Sequence, residues 1–89
     1  MAKVVFTENI QRHVPCPATE AAGATVREVL DNVFAANPPA RSYVLDDQAA
    51  LRRHMSIFVD GVLIRDRARL SDPVSVASNI FVFQALSGG

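Results

Sequence analysis

The sequence has no tryptophan, a single tyrosine, a single cysteine and no net charge. One cysteine, Cys16, excludes an internal disulfide framework and suits a reducing compartment. Nine basic side chains cancel nine acidic ones, which argues against a general binder of nucleic acid or of membrane surfaces. No apolar run approaches the roughly 18 residues that span a bilayer. The opening MAKVVFTENI alternates like a strand and lacks the apolar centre of a signal peptide. A soluble, cytoplasmic protein is therefore expected. Lysine is scarce as well: Lys3 stands alone beside eight arginines, so one side-chain amine is open to lysine-directed chemistry. Of only four glycines, two are Gly88 and Gly89 at the end.

What is present is apolar surface. Hydrophobic residues make up 49% of 89 positions, enough for one folded core and not for two. A single domain over residues 1–86 is expected, followed by a flexible Ser-Gly-Gly tail at 87–89. Residues 3–8 (KVVFTE) are β-branched and aromatic, the signature of a strand. Residues 12–18 (RHVPCPA) also look extended, joined to the first strand by a short hairpin around Asn9. Pro15 and Pro17 lie two apart, so the missing donors face one side and restrict this strand to an edge.

The segment ATVREVLDNVFAANPP carries the clearest helical pattern. Thr25 and Glu28 have capping-box spacing. Val26, Val29, Leu30, Val33 and Phe34 form one apolar stripe. Pro38 and Pro39 stop the helix. In DDQAALRRH a short helix is expected, started by Asp46 or Asp47. Residues 55–60 (MSIFVD) alternate again, with Met55, Ile57 and Val59 on one face. Asp60-Gly61 signals a hairpin turn. The Ser71-Asp72-Pro73 stretch is a turn, and residues 79–86 form the last strand.

One helix can cover only one face of one sheet, so the class is α+β with a mixed sheet. The strongly apolar last strand belongs at the centre, beside the first, and the Pro-bearing second strand at an edge. That is the β-grasp arrangement.

With this order on the page, the single helix opening at Thr25-Val26, the Val59-Asp60-Gly61 hairpin and the terminal Ser87-Gly88-Gly89 resemble the ubiquitin-like sulfur-carrier family. That family includes the small subunit of molybdopterin synthase and the thiamine sulfur carrier. The stretch Leu51-Arg52-Arg53-His54-Met55-Ser56-Ile57-Phe58-Val59-Asp60-Gly61 is most similar to the branch of the cysteine-biosynthesis carriers. Two positions depart from the family pattern. Ala77-Ser78-Asn79 replaces a Gly-Asp turn, with Asn79 expected to tolerate left-handed geometry. Gln84-Ala85-Leu86 replaces a proline-containing approach to the tail.

The resemblance implies a protein co-substrate, not an enzyme. Gly89 would be the covalent site, adenylated on its carboxylate and converted to a thiocarboxylate. Leu86, Ser87 and Gly88 would thread into a partner's active site. No cofactor would be bound, since ATP and a sulfur donor are used by the partner enzymes. Those partners would be a ubiquitin-activating-type adenylating enzyme, a sulfurtransferase or other sulfur source, and a sulfur-accepting biosynthetic enzyme. A ubiquitin-like modifier conjugated to lysines shares the adenylation step and remains an alternative. A β-grasp interaction module with an idle tail is another.

Other residues admit plainer interpretations. His13 and Cys16 lie three apart, but a zinc site needs about four ligands and only His54 remains, so Cys16 reads as a packed small hydrophobe. Arg65, Arg67 and Arg69 would line one face of a continued strand. That is a solvated edge discouraging strand pairing, or alternatively a partner-facing stripe. No nucleophile, base and orienting group are placed for autonomous catalysis. If the helix covers Ile57, Val59, Ile80 and Val82, alternation sends Phe58, Phe81 and Phe83 to the opposite face, an expected partner surface.

Overall fold

Alternation along AKVVF places Ala2, Val4 and Phe6 on one side of the first strand, and all three are buried. This strand, β1 (Ala2–Phe6), starts the sheet of a computed structural model that describes residues 1–84. Thr7 then turns the chain into a short helix, α1 (Glu8–His13). Its acidic residue lies in the first turn, Arg12 and His13 lie in the last, and Ile10 is fully buried. This helix replaces the hairpin expected around Asn9. A six-residue helix with one buried anchor gives too little periodicity to detect.

The Pro15–Pro17 stretch is not a strand. The second strand, β2 (Thr19–Ala21), begins only after both prolines, where every residue can join the ladder again. It pairs antiparallel with β1 through Ala2↔Ala21, Lys3↔Glu20 and Val4↔Thr19, at the sheet edge expected for the second strand.

The main helix, α2 (Val26–Ala35), buries all five stripe residues. The Thr25 side chain accepts from the Glu28 amide at 3.2 Å. The reciprocal bond is displaced by one residue: Glu28 accepts from the Ala24 amide at 2.8 Å. Gly23 stands where a Cβ would come within 2.7 Å of the Val29 nitrogen, so the chain enters α2 too closely for a side chain. The rings of Phe34 and Phe6 lie 6.3 Å apart, joining helix to sheet.

Pro38 and Pro39 do end α2, but they also open a further helix, α3 (Pro38–Val44). Proline suits the first helical turn because amides there have no intrahelical acceptor. Ala40 and Val44 bury the inner side of α3. The helix expected in DDQAALRRH is absent. Asp46 caps no helix and instead folds back, its carboxylate accepting from Gln48 and Ala50 amides at 2.9 and 3.0 Å.

The remaining strands are β3 (Met55–Val59), β4 (Val62–Leu63) and β5 (Asn79–Gln84). Asp60 and Gly61 both take positive φ, at 50° and 83°, as a two-residue hairpin between Val59 and Val62 requires. The strand order is β2-β1-β5-β3-β4, with β5 parallel to β1 and antiparallel to β3. The last strand is thus central and beside the first, in a mixed sheet of the β-grasp type. Of the expected strand 79–86, Ala85 and Leu86 lie outside the described residues.

Between β4 and β5 the chain leaves the sheet. Asp72 accepts from the Arg65 and Asp66 amides, both at 2.9 Å, and Asp66 accepts from Arg69 at 2.9 Å and Ala68 at 3.2 Å. Leu70, at φ 56°, is driven fully into the core. Arg65, Arg67 and Arg69 therefore lie in a carboxylate-organised loop and do not line a strand face. The turn before β5 does not use a left-handed Asn79. Ser75 and Ser78 close it, with the Ser78 amide donating to the Ser75 carbonyl at 3.1 Å and the Ser75 amide to the Ser78 hydroxyl at 2.9 Å.

Candidate functional site

Strand register decides which side chains share the face away from α2. Ile57, Ile80 and Val82 are buried on the core side, with Val59 packed against them. Odd positions of β5 and Phe58 of β3 consequently point outward. Phe81 pairs with Phe58 on one side and with Val5 on the other, and Phe58 pairs in turn with Leu63. Val5, Phe81, Phe58 and Leu63 thus form one apolar row across four strands. Phe83 extends it along β5, its ring 6.4 Å from that of Phe81. Phe81 is 39% exposed and Leu63 51% exposed, so the segment between α2 and β3 does not cover the row. Phe58 and Phe83 are half-buried. Lys3, Glu20 and Asn79, joined by register at the start of β5, frame its polar end.

The other end of β5 is fixed by groups that the sequence did not single out. The Tyr43 hydroxyl bonds the Gln84 side-chain oxygen at 3.0 Å. The Tyr43 ring in turn stacks on His13, with centroids 5.4 Å apart. Gln84 also closes the β3–β5 ladder opposite Met55. A polar residue at the inward parity of a core strand is the only sequence signal for this contact. The helix α1, which carries His13, stands where a hairpin is expected, and α3, which carries Tyr43, follows prolines expected only to stop α2. A shallow hollow lined by Thr7, Glu8, Asn9, Phe83 and Gln84 lies beside it.

His13 and Cys16 do not converge. Cys16 is buried and donates to the Val14 carbonyl at 3.2 Å, while His13 is engaged with Tyr43. Burial pushes the Cys16 thiol above its ordinary pKa, the reverse of what a nucleophilic thiolate needs. Among the described residues no three His, Cys, Asp or Glu side chains are grouped to hold a metal ion. Asp66 has its pKa lowered, first by the Ser71 hydroxyl and then by the Arg69 amide. These bonds shape a loop rather than activate a group. Gly89, Gly88, Ser87 and Leu86 lie outside the described residues.

No protein-family model matches the sequence, and no curated protein matches it. Solved structures do. A chain of the Amycolatopsis orientalis BexX/CysO complex has 22% identity over 100% of both chains, with a TM-score of 0.83. CysO of Mycobacterium tuberculosis, described as an antigen, has 17% identity over 97% of this chain and 100% of its own, with a TM-score of 0.80. Small archaeal modifier protein 1 from Methanosarcina acetivorans has 21% identity over 99% of this chain and 95% of its own, with a TM-score of 0.80. At these identities the likeness is one of fold: the described residues have the ubiquitin-like β-grasp architecture.

Proposed function

We propose that this β-grasp protein is a sulfur carrier whose Gly89 carboxylate is the reacting group. The observation that carries the reading is topological. The central strand β5 is the last element among the described residues, and the sequence Ala-Leu-Ser-Gly-Gly follows Gln84. Four extended residues from Leu86 would reach about 14 Å, enough to enter another protein's active site. Glycines without Cβ pass a narrow channel and leave the terminal carbonyl uncrowded.

The chemistry follows from the carboxyl group. With a pKa of about 3.5 it is ionised at neutral pH and is a poor acyl donor. Its oxygen attacks the α-phosphorus of ATP, and pyrophosphate leaves. A sulfur nucleophile at the oxidation level of sulfide then attacks the acyl carbon. The C–S bond forms, the C–O bond to AMP breaks, and a thiocarboxylate remains for the biosynthetic acceptor. A ubiquitin-activating-type enzyme supplies the first step, and the sulfur comes from a sulfide source or from a sulfurtransferase whose persulfide is reduced by a thiol, that thiol leaving in a disulfide. This chain supplies the tail and the surface that docks it. The apolar row of Phe58, Phe81 and Phe83, with Val5 and Leu63, is that surface for the adenylating enzyme. It lies on the same strand that leads to the tail, and apolar area of this kind is where interface energy concentrates.

A second reading, conjugation to lysines, draws support from the archaeal neighbours named as modifier proteins. It shares adenylation and differs only in the acceptor. The test of the common step is ATP–pyrophosphate exchange with the host's adenylating enzyme. The full chain should support exchange and a chain lacking Gly88 and Gly89 should not, with its fold unchanged. Normal exchange by the truncated chain would overturn the assignment of Gly89.

A further inference from the structure

We propose that Arg53, His54 and Arg67 form a basic collar at the root of the tail that docks against an acidic protein surface around the channel receiving it. The proposal rests on the sulfur-carrier reading and adds the charge of the partner's surface.

Four observations place the collar. Met55 pairs with Gln84 as the last described rung of the ladder, so the Arg53-His54 turn lies directly beyond it. The Met55 amide closes that turn on the Arg52 carbonyl at 2.9 Å. From the loop between β4 and β5, the Arg67 guanidinium then reaches across, donating to the carbonyls of Arg52 at 2.9 Å and Arg53 at 3.3 Å. The Leu51 amide donates to the Arg67 carbonyl at 2.9 Å, which holds the two segments together.

The collar's charge is not neutralised within the described residues. Their one ion pair is Arg27 with Asp31, at 3.9 Å, on α2. The acids of the Arg67 loop are committed elsewhere: Asp66 to Ser71 and to the Ala68 and Arg69 amides, Asp72 to the Arg65 and Asp66 amides. Arg52 does not belong to the collar. It turns to the Ser42 carbonyl at 3.0 Å and shares a hollow with Asp46 and Asp47. Arg53 and His54 are exposed, and the Arg53 side chain makes no hydrogen bond among the described residues. Arg53 and Arg67, without counterions among the described residues, give this end a positive charge that an anionic surface complements. An acidic protein fits better than nucleic acid. The chain has no net charge and no basic stripe, and the collar borders the apolar row where Ser56 pairs with Phe83. An apolar centre with a charged rim is the make-up of a protein interface.

The test is the KM of the chain in ATP–pyrophosphate exchange, at about 0.05 M and about 0.5 M salt, where screening differs strongly. Arg53→Glu should raise KM roughly tenfold at low salt with kcat unchanged, and the gap should close at high salt. Arg53→Gln should fall between, and Arg53→Lys should stay near the wild type. Circular dichroism and thermal midpoints should be unchanged throughout. Equal KM for Arg53→Glu and wild type at low salt overturns the collar while the carrier reading stands. Wild-type binding to a single-stranded oligonucleotide that Arg53→Glu abolishes also overturns it. No exchange by the full wild-type chain overturns the carrier reading and the collar with it.

Discussion

At the scale of single residues, the sheet separates two kinds of apolar side chain. Leu30 and Val82 are fully buried, whereas Phe83 is half-buried on the outer face. Leu30→Ala should cost about 2–5 kcal/mol, as truncation of a buried leucine does. In a domain whose total stability is about 5–15 kcal/mol, that is a large share. An unchanged urea midpoint would contradict the packing of α2. Val82→Ala should likewise harm stability more than binding. Phe83→Ala should do the reverse, with a loss of about 1–3 kcal/mol in affinity for the adenylating enzyme. Its folding cost should stay well under the roughly 3–5 kcal/mol of a fully buried phenylalanine. Strong destabilisation with unchanged affinity per folded molecule would remove Phe83 from the proposed surface.

At the scale of elements, long periodic segments were legible and short or self-bonded ones were not. The α2 stripe and the alternation of β3 and β5 specify their burial because each repeats its period several times. The Asp60-Gly61 turn was legible because its two positive φ angles demand those residue types. Three other segments were set by features that leave no repeating pattern in the sequence. The α1 helix rests on one buried residue, Ile10. The α3 helix begins at the two prolines that end α2, and a proline stop signal does not tell which side of it is helical. In the loop after β4, Asp66 and Asp72 take backbone amides that a strand would have used. The outer aromatic face followed from alternation alone, but Tyr43 with Gln84, and Val5 and Leu63 in the row, required the register. The Asp66 loop gives an acid-dependence prediction. Its folded pKa is lowered by Ser71 and Arg69, so its contribution is complete above the ordinary value of about 3.9 and is lost as pH falls through the lowered one. Asp66→Asn should therefore lower stability at neutral pH and flatten its decline in acid. Hydrogen exchange at the Arg69 and Leu70 amides should show the same change, and parallel acid curves for both proteins would contradict it.

At the scale of the whole molecule, helices and core occupy one side of the sheet, and an apolar row occupies the other. The central strand β5 lies between β1 and β3. No helix among the described residues is long and apolar enough to cross a membrane. The buried core of the described residues lies entirely within residues 2–82, so removing Gly88 and Gly89 is expected to leave the unfolding midpoint unchanged. The central claim is that the Gly89 carboxylate becomes a thiocarboxylate. The most direct measurement is intact mass spectrometry of the protein isolated from its own host. A population heavier by the difference between one sulfur and one oxygen atom, confined on fragmentation to Gly89, is the predicted result. Finding only the unmodified mass while the host's sulfur-transfer enzymes are active, or finding Gly89 joined to lysines of other proteins, would contradict it.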